Sequence, residues 1–189
     1  MSALSLSKHP IMLAAGWAST LGPGWIAEFS KYRYIPQSFE DQRERIKVPL
    51  DEVTSSWLRS QFLSLESGQD LAMHSRLTLD RRVRHIPMID CATSSRQSVR
   101  ELQSLLSGVI KADVRLFWSG RSFHCYGIKP VTVTGWARLM GIALLANLPD
   151  VEPIVDTRWV GHRLLGGYSA LRWSANSPHY LQFPREVSL

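Results

Sequence analysis

Along the chain, apolar residues recur at three- and four-residue spacing in three stretches and gather into short runs between them, which predicts helices alternating with strands. Leu50, Val53, Trp57, Leu58, Phe62 and Leu65 form the first helical stripe, opened by Pro49 and followed by Gly68. Ser98-x-x-Glu101 reads as a capping box opening a second helix, with Val99, Leu102, Leu105, Leu106 and Val109 on one face. The third helix spans residues 132–147, buries Trp136, Leu139, Met140, Ala143 and Leu144, and stops at Leu148-Pro149-Asp150. The short runs predict strands at 71–79 and 83–91 around Asp80-Arg81-Arg82, at 114–118 and 122–126 around Ser119-Gly120-Arg121, at 153–159, and at 168–173.

Residues 1–49 are harder to read. A helical start over 9–20, a turn at Gly22-Pro23-Gly24 and an extended stretch over 25–34 are predicted. Within that stretch Lys31-Tyr32-Arg33-Tyr34 interleaves aromatic and basic groups, which suits stacking on bases as well as closing the edge of a core. Residues 39–47 mix charges of both signs and read as a solvated segment. The tail from Ser174 reads as irregular, and there is no internal repeat. These elements predict one α/β (α+β) domain over 1–189, an antiparallel or mixed sheet with helices on one face.

Composition changes this picture little. With 44% hydrophobic and 20% charged residues the chain is an ordinary globular one. No apolar run approaches a membrane span, and the first residues make a poor signal peptide, so no membrane and a cytoplasmic location are expected. Two cysteines are too few for a disulfide framework or a zinc knuckle. Charge says more: 22 Lys and Arg against 16 Asp and Glu, a net +6, favour a polyanionic partner.

The candidate chemistry lies on three of the short runs. Asp90, His124 and Asp156 each sit inside an apolar run, the pattern of a strand delivering one polar side chain to a cleft. If Asp90 and His124 face a cleft, Cys91 and Cys125 must face the core, because successive side chains on a strand point opposite ways. Paired carboxylates can hold divalent cations on a nucleotide's phosphates, and a histidine beside a Ser-Gly-Arg turn can contact the phosphate oxygens. Taken separately, a buried Asp also serves as a helix cap or pairs with Arg, and a buried His serves as a satisfied core residue.

In sequence, the motifs resemble the archaeo-eukaryotic primase superfamily, which includes the small primase subunits and the primase-polymerases. The matching segments are Pro87-Met-Ile-Asp90-Cys-Ala92, Ser119-Gly-Arg-Ser-Phe-His124-Cys-Tyr, Ile154-Val-Asp156 and Arg163-Leu-Leu-Gly-Gly-Tyr-Ser169-Ala-Leu-Arg172, and the resemblance covers about residues 70–175. It implies a palm-like sheet of the RNA-recognition (RRM-like) type joined to a small N-terminal α/β unit. It further implies DNA-directed nucleotidyl transfer, with Asp90, Asp156 and His124 as catalytic residues and Mg2+ or Mn2+ held by Asp90 and Asp156. Ser119, Arg121 and His124 would face the triphosphate, and Arg163, Ser169 and Arg172 would line the nucleotide or template path. The implied partners are nucleoside triphosphates, single-stranded or primed nucleic acid, and a helicase or other subunits of a larger complex.

The departures from the pattern are specific. Ala92 stands where the first motif carries its second acid, and Ser122 replaces a glycine before Phe-His. Three functions therefore stay open: a metal-dependent nucleotidyltransferase, a catalytically degenerate primase-fold module that binds nucleotide or nucleic acid or serves as an interaction subunit, and an unrelated α/β protein.

Overall fold

The computed structural model describes residues 5–35, 43–180 and 182–188. Its secondary structure is mixed α/β, with antiparallel strand pairs throughout two sheets. A 3-10 turn at Pro10–Leu13 runs into α1 (Ala14–Leu21), and β1 (Ile26–Arg33) follows the glycine-proline turn. β2 (Arg43–Pro49), α2 (Ser55–Leu63), β3 (Gln69–Leu79) and β4 (Arg82–His85) come next. The second half contributes β5 (Met88–Asp90), α3 (Arg96–Ile110), β6 (Val114–Trp118), β7 (Phe123–Gly127), α4 (Val133–Leu145), α5 (Thr157–Gly166), β8 (Ala170–Arg172) and β9 (Arg185–Glu186). The first sheet runs β2-β1-β3-β4, with β8 also pairing β3; the second runs β5-β7-β6-β9.

Four local expectations are corrected. The 83–91 strand is two strands in different sheets, because the chain crosses at Ile86-Pro87; Gly127 lies so close to Pro87 that a Cβ there would come within 2.7 Å of its ring. Pro49 ends β2 and opens only a 3-10 turn over Leu50–Glu52, and the α-helix, α2, starts separately after Thr54, whose side chain accepts from the Trp57 amide. The cap of α3 is Ser95, three residues before the capping box read at Ser98. Residues 43–47 of the segment read as solvated are strand; Ile46 and Val48 point to the core while Arg43, Arg45 and Lys47 take the other face, and residues 39–42 lie outside the described residues.

Two large apolar clusters hold these layers, and a small one of Tyr32, Ala72, Tyr168 and Ala170 lies on the far face of the first sheet. One large cluster packs α1 and the inner face of the first sheet, including Trp17, Phe29, Met73 and Trp173, and reaches Met88, Phe117 and Tyr126 of the second sheet. The other large cluster lies between the second sheet, α3, α4 and α5. Directional bonds tie the halves together: Trp17 Nε1 donates to the Gly127 carbonyl at 3.0 Å, and Trp173 Nε1 to the Tyr126 hydroxyl at 3.1 Å. His9, buried beside them, accepts the Ile11 amide on Nδ1, so its proton sits on Nε2 and is donated to the Trp173 carbonyl at 2.8 Å. These contacts fix the two sheets on either side of the cleft described next. No helix among the described residues is long and apolar enough to cross a membrane.

Candidate functional site

β5 ends at Asp90, directly opposite His124 on β7, with His124 Nε2 3.7 Å from Asp90 Oδ1. The chain after Asp90 pairs briefly with the segment before α5: Cys91 bridges Val155, and the Asp156 amide donates to the Asp90 carbonyl at 3.2 Å. The two acids are thereby brought to one place from residues 66 positions apart in sequence. Asp156 is not on a strand, as its apolar neighbours suggested. It is the N-cap of α5, and its Oδ1 accepts from the Trp159 amide at 2.9 Å.

The remaining walls come from four places. The β6–β7 turn is closed by the Ser119 amide and hydroxyl, both bonding the Ser122 carbonyl, and Gly120 takes a φ of 110° that favours glycine. α5 presents Arg163, β8 presents Arg172, and Tyr32 and Arg43 enter from the first sheet. Residues 179 and 180 close the rim with Tyr34, whose ring lies 5.3 Å from that of His179 and 6.0 Å from that of Tyr180. Together they enclose a cleft of about 300 Å³. Asp90, Ser119, Arg121, His124, Asp156, Arg163 and Arg172 all line it.

Ser169 does not line it. It is fully buried, accepting from Trp136 Nε1 at 2.9 Å while its amide donates to the Ser75 hydroxyl. Arg172 lines the cleft but its guanidinium is largely committed: it donates to the carbonyls of Ser119 (2.8 Å), Ser174 and Gln182 (3.2 Å), and lies 4.0 Å over the Tyr180 ring. Cys91 and Cys125 face the core as reduced thiols, their sulfurs 3.6 Å apart.

Electrostatics in the cleft are uneven. Only 27% of the Asp90 side chain is exposed. Burial first, and then repulsion from Asp156, push its carboxyl up to about 7, against the pull of Arg172 and Arg163. Burial, helped by Arg172, pushes His124 down to about 3, so it stands neutral at physiological pH. Because Asp156 carries both a charge and a cap, two substitutions separate them. Asp156→Ala is expected to be less stable than Asp156→Asn by about 1 kcal/mol in urea denaturation, since both remove the charge and only alanine removes the cap.

The carboxylates do not fit a two-ion centre. Ala92 is exposed and offers no oxygen, one Asp156 oxygen is spent on the helix, and no group of three or more His, Cys, Asp or Glu with metal-ligating geometry occurs among the described residues.

A family model described as archaeo-eukaryotic primase 1D-like (AEP-like) matches residues 49–185. The chain belongs to that family. No curated protein and no solved structure matches it. The match runs from the end of β2 to the start of β9 and takes in the cleft residues of the motif segments, Asp90, Ser119, Arg121, His124, Asp156, Arg163 and Arg172. Tyr32, Tyr34 and Arg43 lie before it. Sequence reading singled out the aromatics of that stretch but had no signal for Arg43, which reaches the cleft through strand pairing alone. Arg158 and His162 were not foreseen at the cleft for a different reason: with a strand read over 153–159 and no helix after it, the face of α5 that they share was invisible.

Proposed function

We propose that this AEP-like chain is a primase-fold module that binds the phosphates of a nucleotide or of nucleic acid in the cleft, serving a larger assembly as its binding subunit. One observation carries this reading: six arginines, Arg33, Arg43, Arg121, Arg158, Arg163 and Arg172, line the cleft against two carboxylates, Asp90 and Asp156. Guanidinium forks suit phosphate oxygens, and the aromatic rim of Tyr34 and Tyr180 suits a base. The exposed Arg121 and the amides of its turn would take the terminal phosphates, and Arg163 those nearer the sugar. The accompanying helicase or other complex subunits stay a proposal drawn from the family likeness.

Titration of the protein with a fluorescent nucleoside triphosphate tests this reading. Arg121→Ala and Arg163→Ala are each expected to weaken binding about tenfold, the loss of one charge-assisted contact. Arg121→Ala should leave thermal stability unchanged, whereas Arg172→Ala should lower it, because three carbonyls lose their donor. Undiminished binding in both Arg121→Ala and Arg163→Ala would remove the cleft as the site.

A second reading, nucleotidyl transfer at the same place, is favoured by the abutment of Asp90 and Asp156, a repulsion that a single Mg2+ or Mn2+ would relieve. Template-directed product from the wild type, lost in Asp90→Asn, would carry it.

A further inference from the structure

The first sheet turns one face to the main apolar core; the other face buries Glu28, Ser30, Tyr32, Ala72 and His74 and presents charged side chains along its β2 edge. On that face of β2, Arg43, Arg45 and Lys47 follow one another at alternate positions, while Ile46 and Val48 enter the core. Alternate residues on a strand stand about 6.7 Å apart. The row starts at the cleft, since Arg43 lines it, and leads away from it along the edge of the sheet.

Buried groups hold this row in place. The Arg43 guanidinium lies 4.4 Å over the Tyr32 ring and donates to Ser30 Oγ at 2.9 Å. Ser30 Oγ is 2.8 Å from His74 Nε2, and His74 Nδ1 faces Glu28 Oε1 at 3.3 Å. Glu28 in turn holds Arg45 at 3.1 Å, and Arg45 lies 5.3 Å over the Tyr168 ring. Arginine can only donate, so the Ser30 hydroxyl points its proton at His74 Nε2, leaving the histidine proton on Nδ1 toward Glu28. Ser30, His74 and Glu28 are all buried. The neighbouring His74 first, and then Arg45 and Lys47, hold the Glu28 carboxyl below its ordinary value against the effect of burial, which places Lys47 within electrostatic reach of the same group. The face thus carries three cations against one carboxylate, with two guanidiniums laid over tyrosine rings and braced from beneath.

We infer that this row is the path of a single-stranded nucleic acid leaving the cleft, with Arg45 and Lys47 contacting successive backbone phosphates. The inference rests on the reading of the cleft as a phosphate site and extends it along the sheet. Backbone contacts of this kind are independent of base sequence and act through release of counterions, so they have a measurable salt signature. Charged residues on an edge strand also serve simply to keep it soluble, and the experiment separates the two.

Binding of an oligothymidylate of about 16 nucleotides and of a single nucleoside triphosphate is measured side by side across a salt series. The double substitution Arg45→Gln, Lys47→Gln is expected to weaken oligonucleotide binding about tenfold at low salt and to flatten the slope of log affinity against log salt by about 1.4, two contacts' worth on a single strand. Binding of the mononucleotide should not change. Lys47→Glu, which leaves the Arg45–Glu28 pair intact, gives the same direction of effect if the double variant folds poorly. Oligonucleotide affinity and slope unchanged in Lys47→Glu would overturn the path while leaving the cleft reading standing. Loss of mononucleotide binding in the wild type, with oligonucleotide binding still dependent on Lys47, would sink the cleft reading and keep the path. Competition by polyglutamate as effective as that by unlabelled oligonucleotide would overturn the assignment, making the face an acceptor for acidic protein.

Discussion

Asp90→Asn is expected to make the protein more stable at pH 8, by about 2 to 4 kcal/mol, and to leave its stability near pH 4 unchanged. The reason lies in the difference between the folded and unfolded chains. In the unfolded chain this carboxyl ionises at its ordinary value of 3.8; in the cleft, burial and Asp156 raise that to about 7. Between those values the folded state holds a proton that the unfolded state has released. The stability that Asp90 contributes is therefore full below pH 3.8 and is lost as pH rises to about 7. Asparagine, neutral and of the same shape, keeps the protonated form's packing at every pH. Urea denaturation at pH 4 and pH 8 measures the effect directly, and equal gains at both pH values would refute a proton-linked origin.

The buried histidines act in the opposite sense, and acid is expected to destabilise the protein well above the pH at which ordinary carboxylates are titrated. Burial lowers His9 to about 4, against the donation it makes to the Trp173 carbonyl, and lowers His85, 3.0 Å from the Ser75 hydroxyl and stacked on Trp136, to about 4 as well. Above pH 6.5 both are neutral in either state. As pH falls from 6.5 to 4 the unfolded chain takes up protons that the folded chain refuses, so stability declines with acidity by about 3 kcal/mol for each. His74 and His124 are shifted in the same direction. In the variant His9→Asn, His85→Gln, where asparagine can still cap the turn at Pro10, denaturant midpoints should fall much less between pH 6.5 and 4.5. Asp90 partly masks the slope in the wild type. Adding Asp90→Asn to otherwise unchanged protein should therefore steepen the acid loss, and a slope that stays the same would contradict the raised value of Asp90.

What could be read from sequence followed the range of the interactions. Asp90 and His124 were legible because each lies in a short apolar run whose alternation fixes which way it points, and the same alternation sent Cys91 and Cys125 to the core. Asp156 was legible as a site residue but not as a cap, since Pro153-Ile154-Val155 carries a strand-like pattern and the helix begins only after it. β2 was hidden because its outward charges outnumber the two apolar residues facing in, so periodicity counted over the segment favours a loop. Ser169 went astray because it sits one residue before β8, at the seam where its carbonyl takes the Ser75 amide, and only the pairing of β3 with β8 decides that it is enclosed.

The grip of Arg172 has a consequence for when the cleft comes into being. Its guanidinium joins the turn after β6 to carbonyls at residues 174 and 182, and its face is covered by Tyr180. The clamp cannot be complete until residue 182 has left the ribosome, although Asp90, His124 and Asp156 are by then long since synthesised. A nascent chain therefore carries Asp90, His124 and Asp156 before the cleft around them has its final shape, which is set only as the tail closes over Arg172.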